Sequence, residues 1–105
     1  MLHIVDTIEV APDDVDAYVD VVHDLGVPVM ADAGASLVSC ATTPVGIGDP
    51  VCVQVVWAVE DGFDRWNEVR RDLVLDPRWY AYGARAAALR QGGTRRFFTT
   101  RARPR

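Results

Sequence analysis

The sequence predicts an α+β domain in the order strand, helix, strand, strand, helix pair, strand. Two observations set the element types. Residues 2–10 and 50–59 alternate from side to side as strands do, whereas residues 15–26, 63–73 and 79–89 repeat apolar residues at helical spacing. A third sets the connection: Pro44-Val45-Gly46-Ile47-Gly48-Asp49, a run of turn formers, joins the two central strands. With 105 residues the chain is one domain, 1–100, followed by a short basic tail, 101–105.

In the first strand, Leu2–Val10, one face carries Leu2, Ile4, Ile8 and Val10, interrupted by Asp6. The other carries His3, Val5, Thr7 and Glu9. Ala11-Pro12-Asp13-Asp14 starts a helix, because proline suits the first turn and acids favour the positive end of the helix dipole. Val15, Tyr18, Val19, Val22 and Gly26 form its inner stripe, with Asp13, Asp16, Asp20 and Asp24 on the wet side. Pro28 lacks a backbone donor and should kink or divide this helix. A second piece runs from Pro28 to about Asp32 and ends at Gly34.

Ala35–Thr43 and Pro50–Val59 form the central hairpin. A loop symmetrical about Gly46 or Ile47 sets Cys40 beside Cys52 across it. Glu60-Asp61-Gly62 begins the next helix, with Phe63, Trp66, Val69 and Leu73 inward. Asp76-Pro77 opens a third as N-cap and first helical residue, with Trp79, Tyr82, Gly83, Ala86 and Leu89 inward. Gln91-Gly92-Gly93 breaks it, and Thr94–Thr100 is the last strand. This order is the ferredoxin-like βαββαβ motif, a four-stranded antiparallel sheet with helices on one face. The bare face carries Val5, Val38, Cys40, Val56 and Ala58 mixed with Thr7, Thr42 and Gln54. A face only half polar needs a cover, and a second copy supplies one by a two-fold contact.

Charge is strongly partitioned. Residues 1–64 hold twelve Asp or Glu and no Lys or Arg, and residues 65–105 hold all eleven arginines against three acids. An acidic surface can therefore meet a basic one within or between subunits. No apolar run approaches a membrane span, and Met1–Val10 lacks the features of a secretory leader, so no membrane role is expected and the location is read as cytoplasmic. Two cysteines make no disulfide framework, and they read as small buried hydrophobes. There is no zinc-like spacing, P-loop, GxGxxG or GxSxG. The net charge of −4 argues against nucleic acid as the partner of the five arginines between Arg95 and Arg105.

Several residues are candidates for chemistry. Asp6 interrupts an apolar face that should lie beneath Trp66, Trp79 and Tyr82. Burial disfavours its charged form and suits a general acid or base; the alternative is an ion pair with an arginine such as Arg70 or Arg85. His23, three residues after Asp20, is either a proton shuttle or a surface histidine in an acidic patch. Trp57, Trp66, Trp79, Tyr80 and Tyr82 are the densest aromatic group and either line an apolar pocket or fill the core, with Asn67 a weaker polar candidate for the site. Arg70 and Arg85 are near this group in sequence and suit an enolate or phenolate oxygen.

The opening strand with Ala11-Pro12-Asp13, the internal Pro28, the run Gly34-Ala35-Ser36-Leu37-Val38, and Trp66 followed by Asp76-Pro77-Arg78-Trp79 carry a resemblance over residues 1–100. The chain resembles the dimeric α/β barrel superfamily, and most of all its NIPSNAP branch. The resemblance implies this fold and a homodimer. Relatives include cofactor-free monooxygenases and cyclases of aromatic polyketide pathways, small isomerases and decarboxylases, haem enzymes and proteins of unknown role. The branch often carries a basic residue in the first strand where this chain has Asp6, so no anion-binding role is carried over to that position. The resulting expectation is a cofactor-independent cyclase, isomerase or monooxygenase acting by proton transfer on an apolar, aromatic or polyketide-like molecule. Asp6 or His23 would move the proton and Arg70 or Arg85 would steady the anion. The alternative is a non-catalytic homodimer binding a small molecule or a protein partner. No cofactor or metal is expected.

Overall fold

Strand β1 (Leu2–Val10) is paired on both sides, by β3 (Val51–Val59) and β4 (Arg90–Thr99), and β2 (Ser36–Thr42) forms the far edge beyond β3. All neighbours are antiparallel, in the order β2-β3-β1-β4 of a ferredoxin-like sheet. The computed structural model describes residues 1–44, 46 and 50–101. Four helical segments accompany the sheet: α1 (Val15–Val21), α2 (Val27–Ala33), α3 (Gly62–Val74) and α4 (Pro77–Leu89). Their buried residues, among them Tyr18, Val22, Met30, Trp66, Val69, Leu73 and Tyr82, join one core with Leu2, Ile4, Ile8, Val53, Val55 and Trp57 of the sheet.

The first helical arm departs from the expected break at Pro28. Helix α1 continues into α2 through a single wide turn, Val22–Gly26, in which the Val27 N–H reaches back to the Val22 carbonyl. In a regular helix the Pro28 ring would crowd the carbonyl of Asp24. Widening the turn makes room, so the arm is divided in hydrogen-bond register without being interrupted. The arm ends at Gly34, whose φ of 111° is open to glycine at no steric cost.

The expected hairpin register is corrected at β2. A bulge between Leu37 and Ser39 reverses the alternation, so that Cys40 pairs with Val55 and Thr42 with Val53 on the helix side of the sheet. Cys52 pairs with Glu9 on the other side. The two thiols therefore lie on opposite faces and both are free. Val45 and residues 47–49 of the connecting loop lie outside the described residues. Two further expectations shift. Phe63 is exposed, resting at 5.8 Å on Phe97. Gly92 and Gly93 extend β4, because Glu9 and Ile8 of β1 supply partners for them and ladder pairing outweighs glycine's poor strand propensity.

One helix layer on one sheet leaves the second face bare. The molecule is a slab of 45 × 41 × 18 Å with a radius of gyration of 14.6 Å, against about 13 Å for a compact chain of this length. After the bulge correction the bare face carries His3, Val5 and Thr7, Gln54, Val56 and Ala58, Ser36, Ser39 and Ala41, and Arg96 and Phe98. The charge halves meet across the fold: Arg78 pairs with Asp32 at 2.9 Å, tying α4 to α2, and Arg95 pairs with Asp6.

Candidate active site

Asp6 faces the helices between Ile4 and Ile8, as the alternation of β1 requires, and is 8% exposed. A lone carboxylate there would cost several kcal/mol. The antiparallel register sets Arg95 directly opposite on β4. Its Nε–H donates to Asp6 Oδ1 at 2.6 Å and its Nη2–H to Oδ2 at 3.0 Å, the fork geometry that suits a guanidinium and a carboxylate. The Arg95 side chain keeps 38% of its exposure, so the pair has a sheltered end and a wet end.

The pair forms part of the floor of a cavity of about 520 Å³ between β1, β4, α1 and α4. Tyr18 enters from α1, and Trp79, Tyr80 and Tyr82 from α4, while Arg90 and Thr94 of β4 complete the rim. Gly26 of the wide turn seats Tyr82: a Cβ there would lie 2.9 Å from its ring. The Trp79 and Tyr82 rings are 6.0 Å apart, a tilted aromatic pair. Burial, reinforced by the Asp6 charge, raises the Tyr18 and Tyr82 phenols above their ordinary value of 10.0. Both are neutral donors at physiological pH. Burial opposes the charge of Arg95, but the hydrogen bonds and charge of Asp6, with the two tyrosines, outweigh it and hold the guanidinium above its ordinary range. Burial also pushes the Cys40 thiol up, which makes it a poor nucleophile.

The other anticipated residues are dispersed. Trp66 and Arg70 line a smaller recess of about 120 Å³ that shares Trp79 and Arg95 with the main cavity. Asn67 is exposed beside Arg70 and Arg71. Arg85 lines a separate groove with Asp20 and Asp24. His23 is exposed on the wide turn and lines none of these cavities. Trp57 is 1% exposed, a core residue opposite Ile4. The arginine that meets Asp6 is Arg95, in place of Arg70 or Arg85. Tyr18, Arg90 and Arg95 stand at this cavity although no local pattern in the sequence marks them for it. The one signal for Arg95 was its place in a strand next to β1, and only the pairing register shows that it faces position 6. Among the described residues no three His, Cys, Asp or Glu side chains stand close enough to hold a metal ion, and no helix is long and apolar enough to cross a membrane.

Comparison with solved structures places the fold. The chain is similar to a NIPSNAP domain protein from Burkholderia xenovorans, with a TM-score of 0.76 and 24% identity over 97% of this chain and 96% of that one. It is similar to a NIPSNAP family protein from Agrobacterium tumefaciens, with a TM-score of 0.71 and 20% identity over 95% of this chain and 85% of that one. An antibiotic biosynthesis monooxygenase-like protein from Caulobacter crescentus superposes with a TM-score of 0.61 and 17% identity, over 96% of this chain and 90% of that one. No family model matches the chain, and no curated protein matches it by sequence. The fold is thus that of the NIPSNAP and antibiotic monooxygenase-like ferredoxin-fold proteins.

Proposed function

We propose that the protein is a cofactor-independent enzyme that moves a proton on an aromatic or polyketide-like small molecule held in the cavity over Asp6. The observation that carries this reading is a sheltered carboxylate paired to an arginine on the floor of an aromatic-walled cavity. A substrate C–H made acidic by a neighbouring carbonyl would pass its proton to an Asp6 oxygen, and the electron pair would move to the carbonyl oxygen. Arg95 and the neutral Tyr18 or Tyr82 hydroxyl would receive that oxyanion. Return of the proton at another carbon is isomerisation, attack of the enolate on a second carbonyl is cyclisation, and its capture of dioxygen from solution is oxygenation. Trp79 and Tyr82 shape the cavity, and Arg70 and Trp66 extend it through the smaller recess. His23 and Arg85 stay outside this reading, since neither lines the cavity.

The test is deuterium exchange at the activated C–H of aryl ketones in deuterium oxide, followed by NMR. Wild-type protein should speed the exchange, and Asp6→Asn should lower the catalysed rate by roughly 10²–10⁴-fold while remaining folded. Undiminished exchange in Asp6→Asn, or none in the wild type across the ketones tried, would sink the proposal.

A second reading is favoured by one observation: both Asp6 oxygens already accept hydrogen bonds from Arg95, as in a purely structural pair. The protein would then be a non-catalytic homodimer that binds a small molecule or a protein partner. Both readings include the homodimer and a cytoplasmic setting. For the dimer, the support is the bare sheet face, where Val5 pairs with Val56 and Phe98 is 50% exposed. Light scattering at micromolar concentration should give twice the chain mass of 11.6 kDa. A stable monomer would remove the dimer from both readings.

A further inference from the structure

We propose that the cavity over Asp6 selects a flat aromatic acid, its carboxylate held by Arg90 and its ring lying against Gly83 beside Trp79 and Tyr82. This rests on the reading of that cavity as a small-molecule site and adds the chemical class of what enters it. Two independent observations carry it.

The first is a glycine in the middle of a helix. Gly83 lies inside α4, where glycine is the poorest residue after proline. Gly26 and Gly93 are explained by close neighbours: a Cβ at either would come within 3 Å of Tyr82 or Ile8. A Cβ at Gly83 would meet nothing within 4 Å. No neighbour among the described residues requires a glycine there. The space over it opens into the cavity, next to the aromatic wall. A bare stretch of helix backbone beside Trp79 and Tyr82 is a flat shelf for a planar ring.

The second is a leftover positive charge. The charged residues lining the cavity are Asp6, Arg90 and Arg95. Asp6 and Arg95 neutralise each other. Arg90 forms no ion pair among the described residues, although the chain as a whole carries a net charge of −4. It stands at the end of α4 and the start of β4, on the cavity rim, close enough to Tyr18 for its charge to act on that phenol. A planar guanidinium fork beside an apolar shelf matches an aryl carboxylate, which offers two coplanar oxygens on a flat ring.

The experiment measures binding of β-naphthoate and of its neutral isostere β-naphthamide to the full-length protein, by calorimetry. Naphthoate should bind roughly tenfold or more tightly than the amide. Arg90→Gln should erase that preference while leaving amide binding in place. Gly83→Leu should weaken both ligands by roughly tenfold or more, with a melting temperature equal to or above the wild type, because leucine is the better helix former. Equal affinity for acid and amide, a preference that survives Arg90→Gln, unchanged binding in Gly83→Leu, or no binding of either ligand to the wild type each overturns the inference. Asp6→Asn separates it from the catalytic reading: loss of deuterium exchange with naphthoate binding retained leaves both standing. Selective naphthoate binding without any exchange in the wild type keeps the ligand class and removes the catalysis.

Discussion

Trp57→Ala is expected to lower the folding free energy by about 3–5 kcal/mol, the range for removing a large aromatic side chain from a packed core. Trp57 sits in the middle of β3, paired with Ile4 on one side and Leu37 on the other, and is 1% exposed. Its side chain belongs to the layer between sheet and helices that also contains Met30 and Leu73. Truncation there leaves a void that a sheet hydrogen-bonded on both sides of Trp57 cannot collapse. If Trp57 were instead a wall of the ligand cavity, the same change would weaken binding and leave the unfolding curve nearly in place. Urea unfolding followed by circular dichroism decides between them. A loss below about 1 kcal/mol in a folded Trp57→Ala protein would contradict the core placement. Trp57→Phe, which keeps a ring in the same layer, should recover part of the loss.

Arg95→Leu should cost about 2–4 kcal/mol, somewhat under the range for breaking a wholly buried ion pair, because the guanidinium is partly wet. For a domain of this size that is a fall in melting temperature of roughly 10–20 °C. The cause is the sheltered Asp6 carboxylate left without its partner. Removal from the other side is milder. Asp6→Asn keeps the shape, retains one acceptor oxygen for Arg95, and lets the released cation use its solvent-exposed end. The prediction is therefore an asymmetry, with Arg95→Leu well below Asp6→Asn in thermal stability. The double variant Asp6→Leu with Arg95→Leu should regain much of the loss, since no uncompensated charge remains. Equal losses in the two single variants, or no recovery in the double, would show that the pair is not coupled as its geometry requires.

The sequence by itself determined the element types, their order and the fold class. Alternation in Leu2–Val10 and Val51–Val59, the helical stripes of α3 and α4, and the Asp76-Pro77 start are local patterns, written in spacing and in backbone chemistry that acts over a few residues. It also determined that Asp6 faces the helices, because one residue in two along a strand must do so. What it left open is everything that depends on pairing between distant segments. The partner of Asp6 is Arg95, 89 residues away, and only the β1–β4 register selects it over the other arginines. A bulge at Val38 sends Cys40 and Cys52 to opposite faces, a one-residue shift that no alternating pattern announces. The wide turn before Pro28 keeps the first helical arm continuous. Trp57 and Tyr82 look alike as aromatic residues on inward-facing positions. One fills the core and the other bounds a cavity, because Gly83, Ala84 and Ala86 leave space on α4 that no other described residue fills. Tertiary packing decides where space is left over, and in this protein it is left over Asp6.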